Sequence, residues 1–274
     1  MKCCFTIDVE DWFHILDIPS EPKLSQWDQL PSRVEANFIR LLDIFDRHEV
    51  KATCFFLGWI AEKFPELVKR AQTAGHEIAS HGYDHRLIYT MTRDEFLDDV
   101  RKSKSILENI GGQKVSGFRG SGFSVTENTP WFFEVLTEAG YEYDSTVFPA
   151  KRGHGGLPTG SLRPYRIGSI IEIPVTVSEM FGKRLCLYGG GYLRLFPLSL
   201  ILRTSRRILQ EGRPVVFYIH PREIDPDQPH LPMSPVRRFK SYVNIGGTAK
   251  KLDAILSAFE FVTLKEYITS HAGI

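Results

Sequence analysis

The sequence has few cysteines, no imbalance of charge and no long hydrophobic run. Its four cysteines, at positions 3, 4, 54 and 186, form no C-x-x-C pair, which argues against a zinc knuckle or a disulfide framework and predicts buried, reduced thiols. No apolar run approaches the roughly 20 residues that span a membrane. The first residues enter a strand-like run without the regions of a secretory signal peptide, so a cytoplasmic protein is expected.

The charges nearly cancel, with 34 Lys and Arg against 33 Asp and Glu and a formal charge of +1. This balance gives no overall attraction for nucleic acid or an anionic membrane surface, so neither partner is expected. Any basic patch must be local, as at 183–184 or over 203–207, where a solvated helix face explains the second run at least as well. Nothing in the sequence indicates an oligomeric state.

Strand-like and helix-like segments alternate along most of the 274 residues, which favours one large α/β domain with an open sheet or a barrel. Residues 149–170 and 186–197 are rich in Gly and Pro, so long loops are expected to shape a binding cleft in the part from about 150 to 274. Thr92 and Glu95 form a capping-box pattern. Helices are predicted over 33–47, 61–74, 93–109, 130–139, 198–211 and 248–259, and strands over 3–7, 51–56, 77–80, 116–119, 214–219 and 260–263.

Three short polar segments follow apolar runs and together resemble the parts of a metal-hydrolase site. They are Thr6–Asp11, His81–His85 and Tyr218–Pro221. Reactive groups at strand ends, gathered from distant parts of the chain, are typical of the active face of an α/β barrel or open sheet. Together these segments offer carboxylates, two histidines four residues apart and one further histidine.

Each segment also has an ordinary structural interpretation. Asp8, Glu10 and Asp11 could form a solvated turn before a helix, although crowded carboxylates normally need a cation or a basic partner to stay ionised. The His81 and His85 spacing suits one metal ion but occurs in ordinary turns as well. A lone histidine such as His220 is more often a structural hydrogen-bonding group. The combination favours a metal carboxylate with a nearby general base.

The ordered series of motifs resembles the NodB-type polysaccharide deacetylases of carbohydrate esterase family 4, especially the branch of exopolysaccharide clusters linked to exosortase systems. The resemblance covers nearly the whole chain and implies a deformed (β/α) barrel of about seven strands in a single domain, 1–274. It rests on the segments Phe5–His14, Ala52–Gly58, Gly75–His85, Phe118–Arg119, Phe123–Ser124, Tyr143–Pro149, Gly189–Tyr192 and His220–Asp225.

The resemblance implies a role for each residue of the site. His81, His85 and a carboxylate of the first motif would hold a divalent metal, in the first place zinc, with cobalt, nickel or manganese as substitutes. Asp8 would be the general base, paired with Arg119, and His220 the general acid, oriented by Asp144. A backbone N–H near Phe123 would help to stabilise the oxyanion. The substrate would be an N-acetylated polysaccharide or oligosaccharide, with Phe123 and Tyr192 among the residues that bind it.

The sequence departs from the family's usual motifs at three places. Val9 follows Asp8 where an adjacent aspartate is common, and members with an Asp-x-Asp pattern favour Glu10 over Asp11 as the ligand. No proline follows Arg119 two residues later, so the loop expected to supply the oxyanion N–H can differ in shape. Arg222 stands where many members of the branch have Trp.

Three other functions compete with deacetylation of an amino-sugar polymer in exopolysaccharide synthesis. A hydrolase of small linear or cyclic amides would share the fold but favour a closed pocket. A catalytically silent carbohydrate-binding protein would usually lack one of the polar residues, and all have candidates here. A structural partner in polysaccharide export would need a large exposed apolar patch.

Overall fold

The computed structural model describes residues 2–152, 155–180 and 182–271, and its central element is a curled, largely parallel sheet. The strands are β1 (Cys3–Val9), β2 (Thr53–Phe56), β3 (Glu77–Ser80), β4 (Gly117–Phe118), β5 (Tyr143–Asp144), β6 (Tyr165–Ile167), β7 (Ile170–Glu172), β8 (Ser178–Met180), β9 (Lys183–Leu185), β10 (Val215–Ile219) and β11 (Phe261–Val262). The helices are α1 (Val34–Arg47), α2 (Gly58–Lys63), α3 (Pro65–Thr73), α4 (Arg93–Gly111), α5 (Phe132–Glu138), α6 (Gly190–Leu195), α7 (Leu198–Gln210), α8 (Pro235–Tyr242), α9 (Thr248–Leu256) and α10 (Leu264–Ser270).

The strand order is β10-β1-β2-β3-β4-β5-β7-β6, with β11 beside the start of β1. Neighbours from β10 to β7 run parallel, and β6 turns back antiparallel to β7. Ile7 lies opposite Ile219 on one side and Cys54 on the other. This register brings the carboxyl ends of the parallel strands to one edge of the sheet.

The barrel is incomplete between β7 and β10, where irregular chain lies along β10. The N–H of Val216 donates to Thr176 Oγ1 at 2.8 Å, and Gly189 forms a parallel bridge with Tyr218. A Cβ on Gly189 would lie 2.2 Å from the Tyr218 ring, so only glycine permits this approach. Seven parallel strands with irregular chain in the gap confirm the expected deformed (β/α) barrel.

The main hydrophobic core packs helices against the central strands. All of β1 is buried, as expected for a strand covered on both faces. The Phe5 ring lies 4.9 Å from Phe45 of α1 and 5.5 Å from Phe217 of β10, centre to centre. Full burial of such a side chain contributes roughly 1.5–3 kcal/mol. This core fixes β1 and β10, the two strands that end in Asp8–Asp11 and His220.

Most predicted helices are confirmed, and the capping box at the start of α4 is present. The N–H of Glu95 donates to Thr92 Oγ1, and the N–H of Thr92 donates to Glu95 Oε2. The helix predicted over 61–74 is instead two, α2 and α3, with the break at Phe64. Proline lacks an N–H and disfavours helical backbone in the residue before it, so Pro65 starts a new helix.

The second half contains more regular structure than the loops predicted there. The predicted loops contain β6 and α6, and β7 begins at the end of the first one. The helix α8 occupies a proline-rich stretch where no helix was predicted. Pro235 is the first residue of α8 and Ser234 caps it, a position where proline favours a helix. The short helix α10 was not predicted, although Thr263 and Glu266 form its capping box.

All four cysteines are buried and free, which confirms the predicted reduced thiols. In the described part of the chain, no helix combines the length and the apolar character needed to cross a bilayer.

Candidate active site

Strand ends bring the predicted metal ligands together in a buried group. Glu10 follows β1, and His81 and His85 follow β3. Glu10 Oε1 lies 3.0 Å from His81 Nε2 and 2.8 Å from His85 Nε2. A second group of potential ligand atoms joins Asp8, Glu10 and His220. The sheet therefore gathers ligands from segments some 70 to 210 residues apart.

The hydrogen bonds of His81 favour a cation between it and Glu10. His81 Nδ1 lies 2.7 Å from the carbonyl oxygen of Arg119, which can only accept, so this ring nitrogen carries the proton. In the neutral ring, Nε2 then faces the Glu10 carboxylate with a lone pair at 3.0 Å. Two acceptors at that distance repel unless a proton or a metal ion lies between them. A ring oriented through its other nitrogen is a common feature of metal-bound histidines.

His85 provides a second observation that fits a metal ion. Both of its ring nitrogens are buried without a hydrogen bond to any described group, even though Nε2 is only 2.8 Å from Glu10. Its backbone is left-handed, with φ of +60°, an uncommon conformation for a residue other than glycine. Buried nitrogens without partners are costly, and a shared divalent ion would satisfy the Nε2 atoms of His85 and His81 together.

Electrostatics keep Glu10 ionised in this buried site. Burial alone raises the pKa of a carboxyl group, but the charges of His85 and His220 and the contacts with His81 outweigh it, so the Glu10 pKa lies well below its ordinary value. An ionised carboxylate is the form that binds a metal. The Glu10 side chain therefore fits a divalent cation in its protonation state, and His81 and His85 fit one in their arrangement around it.

Asp11 lies outside this group and has a structural task. Its carboxylate accepts hydrogen bonds from Ser32 Oγ and from the N–H groups of Arg33 and Val34, at 3.0 and 3.3 Å, where α1 begins. A carboxylate in that place satisfies free N–H groups of the helix and the helix dipole. The structure thus brings Glu10, not Asp11, to the histidines, and the helix-start interpretation applies to Asp11 alone.

Asp8 is fixed by a fully buried arginine. Arg119 donates from Nη1 to Asp8 Oδ1 at 2.8 Å and to Thr6 Oγ1 at 2.6 Å. Its Nε and Nη2 donate to the carbonyl and hydroxyl of Ser145, and its guanidinium lies 4.3 Å above the Phe55 ring. The predicted pairing of Asp8 with Arg119 is present, and Arg119 joins the ends of β1, β4 and β5.

His220 is oriented by Glu223, not by Asp144. His220 Nδ1 lies 2.6 Å from Glu223 Oε1, and Glu223 Oε2 lies 2.8 Å from Arg194 Nε. The opposite edge of the ring points to the candidate metal ligands, with Nε2 3.9 Å from Asp8 Oδ2 and 3.7 Å from Glu10 Oε1. A histidine held through one nitrogen in this way presents the other to the reaction centre.

The pKa values of this pair match an ion pair. Burial opposes ionisation of Glu223, but Arg194 and His220 lower its pKa to about 2. Burial also lowers the pKa of His220, yet the Glu10 carboxylate and the Glu223 hydrogen bond raise it above its ordinary value. His220 is therefore held in its protonated form over a wider pH range than a free imidazole.

The prediction for Asp144 is wrong, because the carboxylate that holds the His220 ring is that of Glu223. Asp144 accepts from the N–H and hydroxyl of Thr146 and lies against Glu172. Burial and the Asp144 charge raise the pKa of Glu172 well above its ordinary value, as in two carboxyl groups that share a proton. Asp144 thus belongs to a buried structural pair.

A cavity of about 700 Å³ opens above the strand ends and contains the metal group. The rings of Phe123 and Phe148 line it, and Tyr192, which is exposed, stands at its edge. The N–H of Phe123 itself donates to the Gly120 carbonyl, and the oxyanion donor expected near Phe123 stays a prediction. Among the other loop aromatics, Tyr188 is fully buried and hydrogen-bonded to Ser178.

Two residues near the site were not assigned a role from the sequence. Glu223 is one, although it stands three residues after His220 in a motif that also forms a capping box. His14 is the other. Its Nδ1 accepts from the Asp11 N–H at 3.0 Å, so Nε2 carries the proton, and this Nε2 is buried without a described partner. Burial lowers the pKa of His14 well below its usual value, which keeps the ring neutral beside the cavity.

The curled parallel sheet defines the class of the protein, an α/β barrel, and its strand ends carry a candidate metal-binding group of one carboxylate and two histidines. Residues 23–143 match the family model for polysaccharide deacetylases, and residues 145–269 match a domain of unknown function, DUF3473. Over residues 23–143 the chain thus matches the NodB-type polysaccharide deacetylases of carbohydrate esterase family 4, a family of hydrolases.

Curated relatives match the chain over limited segments. A peptidoglycan-N-acetylglucosamine deacetylase of Bacillus cereus is 41% identical over 73 residues, 27% of this chain and 26% of that protein. A peptidoglycan deacetylase of Helicobacter pylori is 30% identical over 113 residues, 41% of this chain and 38% of that protein. The chain thus spans about a quarter to two fifths of the length of these relatives.

Solved structures share the fold along nearly the whole chain. Puue allantoinase aligns with a TM-score of 0.64 at 17% identity, covering 98% of this chain and 90% of that one. A probable polysaccharide deacetylase of Pseudomonas aeruginosa PAO1 gives 0.62 at 19%, covering 98% and 89%. A family 4 pseudoenzyme of Bacillus anthracis gives 0.53 at 15%, covering 97% and 64%. At these identities the likeness concerns the fold alone.

Proposed function

We propose that this chain is a metal-dependent hydrolase that removes N-acetyl groups from an amino-sugar polysaccharide or oligosaccharide in exopolysaccharide biosynthesis. The observation that carries the proposal is the convergence of Glu10, His81 and His85 with Asp8 and His220 in one buried group beside a cavity. An acid, a base and a set of metal ligands are the groups that amide hydrolysis needs.

Glu10, His81 and His85 would hold the divalent ion. Two imidazoles and one carboxylate match the three-ligand sets of catalytic zinc, and cobalt, nickel or manganese could replace it. When bound, the ion would polarise the amide carbonyl and make a water molecule more acidic. The buried Nε2 of His85, which has no hydrogen-bond partner among the described residues, supports this assignment.

Asp8 would take a proton from the attacking water. Its carboxylate is held by Arg119 at 2.8 Å on one oxygen, which leaves the other oxygen directed toward His220 and the metal group. A charged hydrogen bond of this kind fixes the geometry of the base. Because Arg119 also bonds to Ser145, the orientation of the base depends on the sheet and not on a loop.

His220 would give its proton to the nitrogen of the leaving amine. Hydrolysis breaks the C–N bond, adds hydroxide to the acetyl carbon and adds a proton to nitrogen, so acetate and a free amine result. Glu223 accepts the Nδ1 proton of His220, which leaves the Nε2 proton for the leaving group. The raised pKa of His220 keeps that proton available near neutral pH.

The sugar rings would contact the aromatic side chains of the cavity. Phe123, Phe148 and Tyr192 present apolar faces at its wall and edge. Such faces pack well against the C–H faces of pyranose rings, and the cavity volume suits more than one ring. The buried, neutral His14 would offer one N–H donor beside the metal group.

Acetate release from N-acetylglucosamine oligomers tests the proposal directly. Chelator-treated protein should be inactive, and added zinc or cobalt should restore release. His81→Ala should lose metal binding and activity, whereas Asp8→Asn should keep the metal and lose roughly 10²–10⁴ in rate. His48→Ala is a matched control, because His48 pairs with Asp253 and does not line the cavity.

Two outcomes would favour the competing functions. Turnover of a small cyclic or linear amide, with none of any amino-sugar oligomer, would identify a small-amide hydrolase. Metal-independent sugar binding without any turnover would identify a silent carbohydrate-binding protein. The complete set of polar residues argues against the silent form.

A further inference from the structure

The wall of the cavity is strongly cationic, in contrast to the balanced charge of the chain. Seven Lys and Arg side chains line it: Lys151, Arg152, Arg184, Arg194, Arg222, Arg237 and Lys240. Its acidic residues are Asp8 and Glu10 at the strand ends and Asp17 at the wall. Asp8 is already paired with Arg119, and Glu10 contacts His81 and His85. Arg184 pairs with Glu179 and Arg194 with Glu223, so five basic side chains of the wall remain against one acidic residue, Asp17.

Arg222 is the clearest member of this cationic wall. It stands two residues after His220, and neither a carboxylate nor a carbonyl among the described residues receives a hydrogen bond from it. Its Nε and Nη1 atoms are buried without a partner. A buried guanidinium normally satisfies its donors, so donors left open beside a cavity indicate a ligand that supplies acceptors.

Arg237 on α8 also lines the cavity and has a second unpaired donor, its Nε. Its Nη2 donates to the Leu16 carbonyl at 2.7 Å, while its Nε is buried and unpaired within the described structure. Burial lowers the pKa of Arg237, Asp17 opposes this, and the charges of Arg222 and Arg152 lower it further. Arg237 is therefore close enough to Arg222 and Arg152 to be repelled by both charges, a cost that an anion would relieve.

Arg152 connects this cationic group to the aromatic wall. Its guanidinium lies 4.6 Å from the centre of the Phe148 ring and 5.2 Å from that of Phe123, and it donates to the Gly122 carbonyl at 3.1 Å. A sugar ring packed on these aromatics would therefore carry its substituents beside a cation. Arg194, by contrast, is neutralised by Glu223 and is not part of the open group.

We propose that the cavity selects an anionic amino sugar, in which a carboxylate or phosphate attached to the glycan is held by the open guanidinium donors of Arg222 and Arg237. The proposal rests on the deacetylase function above and names its substrate class. Bidentate hydrogen bonds from arginine match both oxyanions, so either source satisfies the same site. A neutral chitin-like oligomer would leave these donors unsatisfied.

Calorimetry with chelator-treated protein tests this site, because no bound metal can then attract the oxyanion. A hyaluronan tetrasaccharide, which carries glucuronate, is compared with neutral chitotetraose. N-acetylglucosamine 6-phosphate is compared with N-acetylglucosamine. At least one charged probe should bind about tenfold or more tightly than its neutral match, and its affinity should fall with added salt.

Arg222→Gln and Arg237→Gln should each reduce the preference for the charged probe roughly 10- to 100-fold, or abolish it where it is smaller. Arg238→Gln is the matched control, since Arg238 is the exposed neighbour of Arg237 on α8 and does not line the cavity. It should leave the preference unchanged. Circular dichroism of each variant checks that the fold is intact.

Equal affinity for charged and neutral probes, or a preference that survives both substitutions, would overturn the anion site. Acetate release from chitotetraose alongside that result would leave the deacetylase function standing. An arginine-dependent preference without acetate release from any amino sugar would support the anion site and remove the deacetylase function instead.

Discussion

The part of the molecule that ends with β5 is built from repeated strand and helix units, whereas the part that follows has short strands and irregular chain. The first part supplies Asp8, Glu10, His81, His85 and Arg119 from the ends of parallel strands. The second supplies His220, its partner Glu223 and most of the cavity wall. The boundary between the two matched domain models, at residues 143 and 145, falls at the same place.

The two parts therefore differ in their proposed roles, since the first holds most of the reactive groups and the second forms most of the wall that would bind the substrate. Strand ends in a packed sheet hold the proposed metal ligands and the proposed base within small tolerances, because β1 and β3 cannot shift without disturbing the core. Most of the cavity wall comes from residues 148–152, 184–195 and 234–243, whose conformations depend on turns and short helices. A family can therefore change its substrate in the second part while the first part preserves the chemistry.

The largest expected effect comes from a change at Glu223, because this residue orients His220, the proposed catalytic group that the second part supplies. Glu223→Gln removes the charge that orients His220 and leaves Arg194 buried without its ion pair. We expect a roughly 100-fold fall in deacetylase rate and a loss of about 3 kcal/mol in the free energy of unfolding. Urea denaturation and acetate release measure the two effects.

Glu179→Gln is the control for that change, since Glu179 lies in the same part of the chain and its side chain is exposed. It should alter neither quantity. A Glu223→Gln protein with native stability and rate would show that the Glu223 contacts are dispensable, and that His220 is oriented by other groups.

Acid stability provides a second and smaller test of the same pair. The pKa of Glu223 is about 2, below its ordinary value of 4.5, so its ionised form stabilises the fold. This contribution is present above about pH 4.5 and is lost as the pH falls toward 2. The difference in stability between native protein and Glu223→Gln should therefore shrink over that range. A difference that is constant with pH would contradict the lowered pKa.

The smallest expected effect concerns Asp11 in the first part. Asp11→Ala removes the carboxylate that caps α1 and should cost roughly 0.5–2 kcal/mol of stability, with most of the metal affinity retained. Glu10→Ala should do the reverse, abolishing metal binding with the fold intact. Thermal denaturation and metal titration of both variants separate the two roles. Loss of metal binding in Asp11→Ala would instead make Asp11 a ligand.

Much of the first part was predictable because period-2 and period-3.6 patterns placed the strands and helices that carry the ligands. The preference for Glu10 over Asp11 agreed with the alternation of side chains along β1. Asp144 was assigned wrongly because the resemblance gave it a role, whereas the contact to His220 is decided by the turn at 220–225 and the position of β5 in the sheet. The Asp144 carboxylate is used by Thr146 and Glu172.

The cavity wall was not predictable from the sequence, because its basic residues are scattered from 151 to 240 and form no charge run. Only Arg184 belongs to a basic segment noted in the sequence. Arg222 stood out as a departure from the family motif, yet its open donors depend on tertiary packing. No helix was predicted at Pro235, although proline is favoured at the first position of a helix and Ser234 is a residue that can cap it.

The central position of β1 in the sheet determines which part of the molecule opens last under denaturant. This strand is paired with β2, β10 and β11, and every one of its residues is buried. Its amide protons should exchange with solvent only through global unfolding, whereas those of α6 and α8 should exchange through local opening. Under mild denaturant the binding wall would therefore loosen while Asp8 and Glu10 stay in place, so affinity for substrate would decline before the capacity for chemistry.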